Sequence, residues 1–274
     1  MSITPNDQGG HDPAVPKVNY VVAAWTGPRR NDPHPDGSFY LRSHLAVLAR
    51  LQHQLTRITV MVPNYESEPP ETLSWVDSLN GSELGGARVV VQRRENVGLS
   101  YGSFAAAYEQ SRDKFDFYIF VEDDYAFVRN GFDRTLIGLF ESTADCGYLC
   151  GLTQIWEGKP FAGISNGLTS DDVLAKVYRK HGEIPFGPQT ADRYHSAAQI
   201  TFTASISDLG YRIADITDRF RSPYLDSRDL KVRDFAPQHD EYLIVPTQMI
   251  VSRSEFRGDV DWRGVLSRFD TEPL

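Results

Sequence analysis

The chain has 274 residues, 41% of them apolar and 24% charged, the balance of a globular protein long enough for one large domain or two small ones. Lys and Arg total 28 against 37 Asp and Glu, a formal net charge of −9 that excludes general nucleic-acid binding, because an acidic surface repels phosphate backbones. The two cysteines, Cys146 and Cys150, cannot close a tetrahedral zinc site by themselves; buried free thiols are expected, as in a reducing, cytoplasmic compartment.

Residues 1–16, MSITPNDQGGHDPAVP, are polar, with Gly and Pro and no apolar core. They read as a flexible leader and not as a secretory signal. VNYVVAAW (18–25) is nearly continuous and β-branched, the pattern of a strand covered on both faces. In FYLRSHLAVLARLQHQL (39–55) five leucines recur at three- and four-residue spacings, one stripe of a helix. RITVMVP (57–63) is the next strand, and EPPETLSWVDSLN (68–80) a shorter helix with prolines at its entry. ARVVVQRREN (87–96) is a third strand with a charged exit, SYGSFAAAYEQSRDKF (100–115) an Ala-rich helix, and FDFYIFVEDD (115–124) a fourth strand.

This alternation predicts an α/β fold with a right-handed, mostly parallel sheet and helices on both faces. Ligands of such sheets gather at the carboxyl ends of the strands, where the strand order reverses. The second half is less regular. YLCGLTQIW (148–156) is expected to be a strand, SNGLTS (165–170) a loop, and DDVLAKVYRKHG (171–182) a helix. A helix closed by Gly210 and then a strand are expected over 196–216, and a late strand interrupted by Pro246 over 241–252. No run reaches the apolar length of a membrane span.

The fourth strand runs YIFV straight into Glu122, Asp123 and Asp124. Neighbouring carboxylates repel one another, and a divalent cation offsets that repulsion. Strand alternation points Glu122 and Asp124 one way and Asp123 the other. Hard oxygen donors suit Mg2+ or Mn2+ sharing its shell with substrate phosphates, which leaves the third carboxylate for a sugar hydroxyl. The plainer alternative is a solvated turn. Upstream, RRENVGLSYGS (93–103) offers Arg93 and Arg94, the two-sided amide of Asn96, and Gly98 for close backbone approach. Ser100 is placed to cap the next helix, and an ordinary capped loop accounts for the segment equally well.

Taken together, VNYVVAAW, ENVGLSYGSFAAAYE and YIFVEDD resemble the GT-A fold of nucleotide-sugar glycosyltransferases, the family-two-like group in particular, over residues 18 to 130. The resemblance implies a Rossmann-like domain over 17–274, with a nucleotide-sugar-binding half (17–130) and an irregular acceptor-side half (131–274). It implies a nucleoside diphosphate sugar as donor, a glycan or small hydroxylated acceptor, and Mn2+ or Mg2+ on the diphosphate. Asp124 would hold the metal with Glu122, and Asp123 the ribose or a metal-bound water. Trp25, Thr26, Arg94, Asn96, Gly98 and Ser100 would line the nucleotide-sugar pocket. The family's acidic pair upstream of a Gly-Tyr-Arg-Ile-like segment has no counterpart before GYRI (210–213) here. Asp171 and Asp172 are therefore the first candidates for a base and Asp226 the next, although Asp171 is equally placed to cap a helix. His239 is a candidate to complete the metal shell or a plain surface histidine, and Trp156 an acceptor platform or a core tryptophan.

Two other classes compete. Gly98-Leu99-Ser100-Tyr101-Gly102 matches the Gly-x-Ser-x-Gly elbow of α/β serine hydrolases, with Asp226 and His239 following in the required order. The polar QRREN before it and the lack of a Gly-rich oxyanion loop count against that class. VVAAWTGPRR bears a thin resemblance to the opening of sugar nucleotidyltransferases. A non-catalytic sugar-binding module is the third class.

Overall fold

The computed structural model describes residues 15–27, 37–64, 68–186, 194–222 and 242–247. The first half alternates as the sequence predicts. β1 (Val18–Ala23), β2 (Arg57–Pro63), β4 (Ala87–Arg94) and β5 (Phe117–Glu122) are linked through α1 (Phe39–Leu48), α2 (Pro70–Ser78) and α3 (Leu99–Glu109). A two-residue strand, β3 (Glu83–Leu84), edges β4. β1, β2 and β5 are apolar and almost wholly buried, as strands covered on both faces require, whereas β4 is only partly buried toward its charged exit.

After Glu122 the chain leaves the main sheet. Asp123 and Asp124 form a turn into β6 (Tyr125–Phe127), followed by α4 (Phe132–Ser142), β7 (Cys146–Trp156), β8 (Lys159–Ser170), α5 (Asp171–His181), α6 (Tyr194–Ser207), β9 (Arg212–Asp215) and β10 (Ile244–Pro246). The main sheet has eight strands in the order β3-β4-β2-β1-β5-β8-β7-β9, and β6 pairs with β10 in a small second sheet. β1 is parallel to β2 and β5, β2 to β4, and β7 to β9, whereas β8 runs antiparallel to both β5 and β7. The expected class, α/β with a mostly parallel sheet, is observed.

Successive side chains of β5 point to opposite faces. Phe120 stacks on Phe104 of α3 at 4.6 Å, and Tyr118 meets Tyr108 edge-on. Phe117 of the other parity meets Phe140 of α4. Tyr20 of β1 shares that second face with Phe127 and Phe132, which stack at 4.6 Å. Two aromatic clusters thus fix α3 and α6 on one face and α1 and α4 on the other. Cys146 and Cys150 are buried, unpaired thiols on β7, as expected, and burial pushes Cys146 up to about 11.

Three expectations need correction. SNGLTS is not a loop; it is the buried second half of β8. Ser100 does not cap α3, because the cap position is Gly98 and Ser100 falls inside the first turn with its hydroxyl buried. Asp171 does not cap α5 either; Ser170 does, its side chain accepting the Val173 N–H at 3.3 Å.

Candidate active site at the β1–β5 switch point

From β1 the chain builds outward through β2 to β4, then returns to place β5 on the other side of β1. The order reverses between β1 and β5, so the crevice outside their carboxyl ends is the topological switch point. Residues 24–27 leave β1 there, and residues 122–124 leave β5.

Asp123 joins the two lips. Its N–H donates to the Ala23 carbonyl at 3.1 Å, and its Oδ2 accepts the Trp25 N–H at 2.9 Å. The side chain is 2% exposed, so it acts as an internal strut of the crevice. Behind it, the wholly buried ring of His44 lies with Nδ1 2.5 Å from the Tyr125 carbonyl and Nε2 3.0 Å from the Tyr20 hydroxyl. A carbonyl only accepts, so Nδ1 carries the proton and Nε2 accepts from Tyr20. Burial lowers this imidazole to about 4, against the opposing pull of the Tyr125 carbonyl and the Asp123 charge. The turn is also held from the far end of the chain. Thr247 donates its N–H to the Asp124 carbonyl at 2.7 Å and its hydroxyl to the Asp123 carbonyl at 3.2 Å.

Glu122 and Asp123 diverge. Asp123 faces the α1 side, where its charge reaches His44. Glu122 shares its parity with Tyr118 and Phe120 and faces α3, where its charge adds to the burial that pushes Tyr101 and Tyr148 up. Strand geometry ends at Glu122, so alternation does not extend to Asp124, and the expected pairing of Glu122 with Asp124 on one face has no basis in a strand. Asp124 sits half-buried at the tip of the turn. Among the described residues no three His, Cys, Asp or Glu side chains converge as a ready metal cage. Magnesium and manganese do not need one when phosphate oxygens complete the shell, and the Asp124 carboxylate at the tip of the turn is a hard oxygen donor suited to that manner of binding.

Around the crevice, Thr26 is 2% exposed, and its hydroxyl has no hydrogen-bond partner among the described residues. The Trp25 indole folds back over Gly27, where a Cβ would lie 2.7 Å from the ring. Arg94 is bound up in the loop that follows its own strand. Nε donates to Ser103 Oγ at 2.8 Å, Nη1 to the carbonyls of Glu95 and Val97 at 2.6 Å each, and Nη2 to the Leu99 carbonyl. Arg93 pairs with Glu68 at 2.7 Å and Asp77 at 3.3 Å. Asn96 is exposed on the same loop. Gly98 adopts φ +78°, a left-handed turn that glycine takes without strain, and a Cβ at Gly102 would lie 1.9 Å from the Val97 carbonyl. Both glycines of the Gly-x-Ser-x-Gly match thus serve the entry into α3. No nucleophile elbow is built, since β4 ends at Arg94 and Ser100 lies within the first turn of the helix with its hydroxyl buried.

Asp171 and Asp172 lie away from the crevice. β8 is antiparallel to β5 and pairs Ser170 with Phe117, so both acids follow at the amino end of β5, roughly 16 Å of strand from Glu122. There burial raises the Asp171 carboxyl, and Asp172 pairs with Lys176 at 2.6 Å. Trp156, 53% exposed, sits at the tip of the β7–β8 hairpin and lines a groove of about 690 Å³ with Phe161 and α6. Six residues of β8, roughly 20 Å of strand, separate that tip from Ser165 beside Glu122. Asp226 and His239 lie outside the described residues.

Sequence reasoning does not single out Tyr101, Ser165 and Asn166. Asn166 Oδ1 accepts the Glu122 N–H at 2.6 Å, beyond the last backbone pair of the β5–β8 ladder, Phe120 with Gly167. The β7–β8 register shifts here, between Cys150 opposite Gly167 and Leu152 opposite Ile164. The irregularity places Ser165 and Asn166 across from Gly151, two residues against one, which re-aims their side chains.

No protein-family model matches the chain, and no curated protein is similar to it. Among solved structures it is similar to a cytidylyltransferase from Leptospira borgpetersenii serovar Hardjo-bovis, at 14% identity and TM-score 0.43, over 73% of this chain and 76% of that one. It is also similar to 4-diphosphocytidyl-2C-methyl-D-erythritol synthase from Anaerococcus prevotii, at 9% identity and TM-score 0.46, over 73% and 86% of the two chains. At TM-scores below 0.5 the likeness is too loose to carry a site residue or an activity across. Among the described residues no helix is long and apolar enough to cross a membrane.

Proposed function

We propose that the protein transfers a sugar from a nucleoside diphosphate sugar to an acceptor hydroxyl, with the donor lying across the β1–β5 crevice. One observation carries this reading: the acidic turn is braced as a site. Asp123 is buried and bonded across the crevice to the Trp25 N–H, while Asp124 stands at the tip of the turn. A solvated turn that merely ended the strand would need neither the strut nor the buried His44 behind it.

In this reading Asp124 holds Mg2+ or Mn2+, which supplies Lewis-acid stabilisation of the leaving diphosphate. Thr26 offers its buried hydroxyl to the nucleotide, and the Trp25 backbone is held rigid by Asp123. That rigidity is what electrostatic preorganisation demands, since groups already in place cost no reorganisation as charge develops.

The test is a thermal-shift series with uridine, guanosine, adenosine, cytidine and thymidine diphosphates, each with and without Mn2+. At least one should raise the melting temperature with the metal, and Asp124→Ala should abolish the metal-dependent part. The same shift in Asp124→Ala would remove this residue from metal binding. Product analysis separates the reaction classes. Release of the nucleoside diphosphate from its sugar ester that depends on an added acceptor supports glycosyl transfer, whereas pyrophosphate release from a nucleoside triphosphate and a sugar 1-phosphate would reassign the protein to nucleotidyl transfer.

A further inference from the structure

Resting on the donor reading, we infer that Tyr101, Glu122, Ser165 and Asn166 form a polyol-binding recess that reads the hydroxyls of the transferred sugar. The four come from three elements. Tyr101 is in the first turn of α3, Glu122 ends β5, and Ser165 and Asn166 occupy the irregularity of β8. Tyr101, Ser165 and Asn166 are 3%, 1% and 1% exposed. Yet Asn166 Nδ2 has no hydrogen-bond partner among the described residues, and the Tyr101 and Ser165 hydroxyls find none there beyond each other. A buried donor without an acceptor is costly, and here the amide of Asn166 and one hydroxyl hydrogen of the Tyr101–Ser165 pair are left together without one unless something else satisfies them.

The surroundings sharpen the point. Tyr101 and Tyr148 both pack against Phe202, and Tyr148 donates its hydroxyl to the Ser165 carbonyl. Phenylalanine at 101 and alanine at 165 would suit this aromatic wall better than a phenol and an alcohol. The cluster reaches the surface at Glu122, which is partly exposed at the carboxyl end of β5. An amide N–H donor, two hydroxyls and a carboxylate acceptor together match a ligand whose groups both donate and accept, which is the character of a sugar ring's hydroxyls. The recess lies on the α3 face, opposite the Asp123 strut, so Glu122 serves the sugar and leaves the diphosphate to Asp124.

Isothermal titration of the full chain with a nucleoside diphosphate, and then with its glucose and galactose esters, separates the two ideas. Tyr101→Phe, Ser165→Ala and Glu122→Gln are each expected to bind the diphosphate as the wild type does. Each should lose affinity for at least one sugar ester, by about fivefold for the neutral pairs and about tenfold for Glu122→Gln. Retained affinity for both ligands in all three variants would mean that the recess holds only water, and an equal loss for both would mean a structural role; either overturns the inference. A wild type that binds no nucleoside diphosphate sinks the donor reading, and this one with it.

Discussion

At the scale of single residues, the site is organised by groups that stand behind the acids. His44 is the clearest case, since its protonation is coupled to folding. Its imidazole titrates near 6.5 in the unfolded chain and about 4 in the folded one. Between those values the unfolded state binds a proton that the native state refuses, so stability rises with pH through this window. The contribution is fully present above pH 6.5, falls as the pH drops toward 4, and levels off below it. The shift corresponds to about 3 kcal/mol. Urea unfolding of the wild type at pH 7 and pH 4.5 should show this slope, and His44→Gln should flatten it while lowering stability at pH 7. An equal slope in the variant would mean that other groups carry it. Little of this is legible in sequence, where His44 is one polar residue in a leucine stripe. The opposed directions of Glu122 and Asp123 are legible, because strand geometry reaches far enough to set them apart. The direction of Asp124 is not, because a turn intervenes.

At the scale of elements, the loop from β4 to α3 shows how a segment read as a ligand loop is held in shape by its own arginine. Gly98 and Leu99 both take positive φ, +78° and +48°, to turn the chain into the helix. For Leu99 that conformation is strained. The Arg94 fork holds four partners across the turn, a geometry that a lysine ammonium cannot span. Arg94→Lys should destabilise the fold by about 2 kcal/mol in chemical denaturation, and an unchanged midpoint would show that these bonds contribute nothing net. Elements with apolar periodicity are legible in the sequence, as β1, β2, β4 and β5 show. α4 carries a legible signal, since Phe132, Leu136, Ile137 and Phe140 share one helical stripe, although the sequence reading assigns no element there. The second half of β8 is hidden for a physical reason. Its buried positions include Ser165, Asn166 and Thr169, and burial of polar groups leaves no apolar pattern to read.

At the scale of the whole molecule, strand direction decides which residues share an end. Alternating strands and helices imply parallel strands, and that rule holds as far as β5. β8 returns as the second arm of a hairpin, so the acids at its exit, Asp171 and Asp172, land at the wrong end for a base. No local pattern reveals that reversal. The same holds for β10, which crosses more than a hundred residues of sequence to pair with β6 and bring Thr247 to the acidic turn. Tyr242, Leu243, Ile244 and Val245 are at most 3% exposed. Burying four such side chains stabilises the fold by roughly 6–12 kcal/mol, comparable with the whole net stability of a typical domain, about 5–15 kcal/mol. A chain ended after residue 241 should therefore lose cooperative thermal unfolding altogether, and any nucleotide-dependent shift with it. Should the shortened chain melt in one sharp transition near the full-length temperature, the β6–β10 pair would be an ornament of the fold, and the acidic turn would have to be held by β1 and His44 alone.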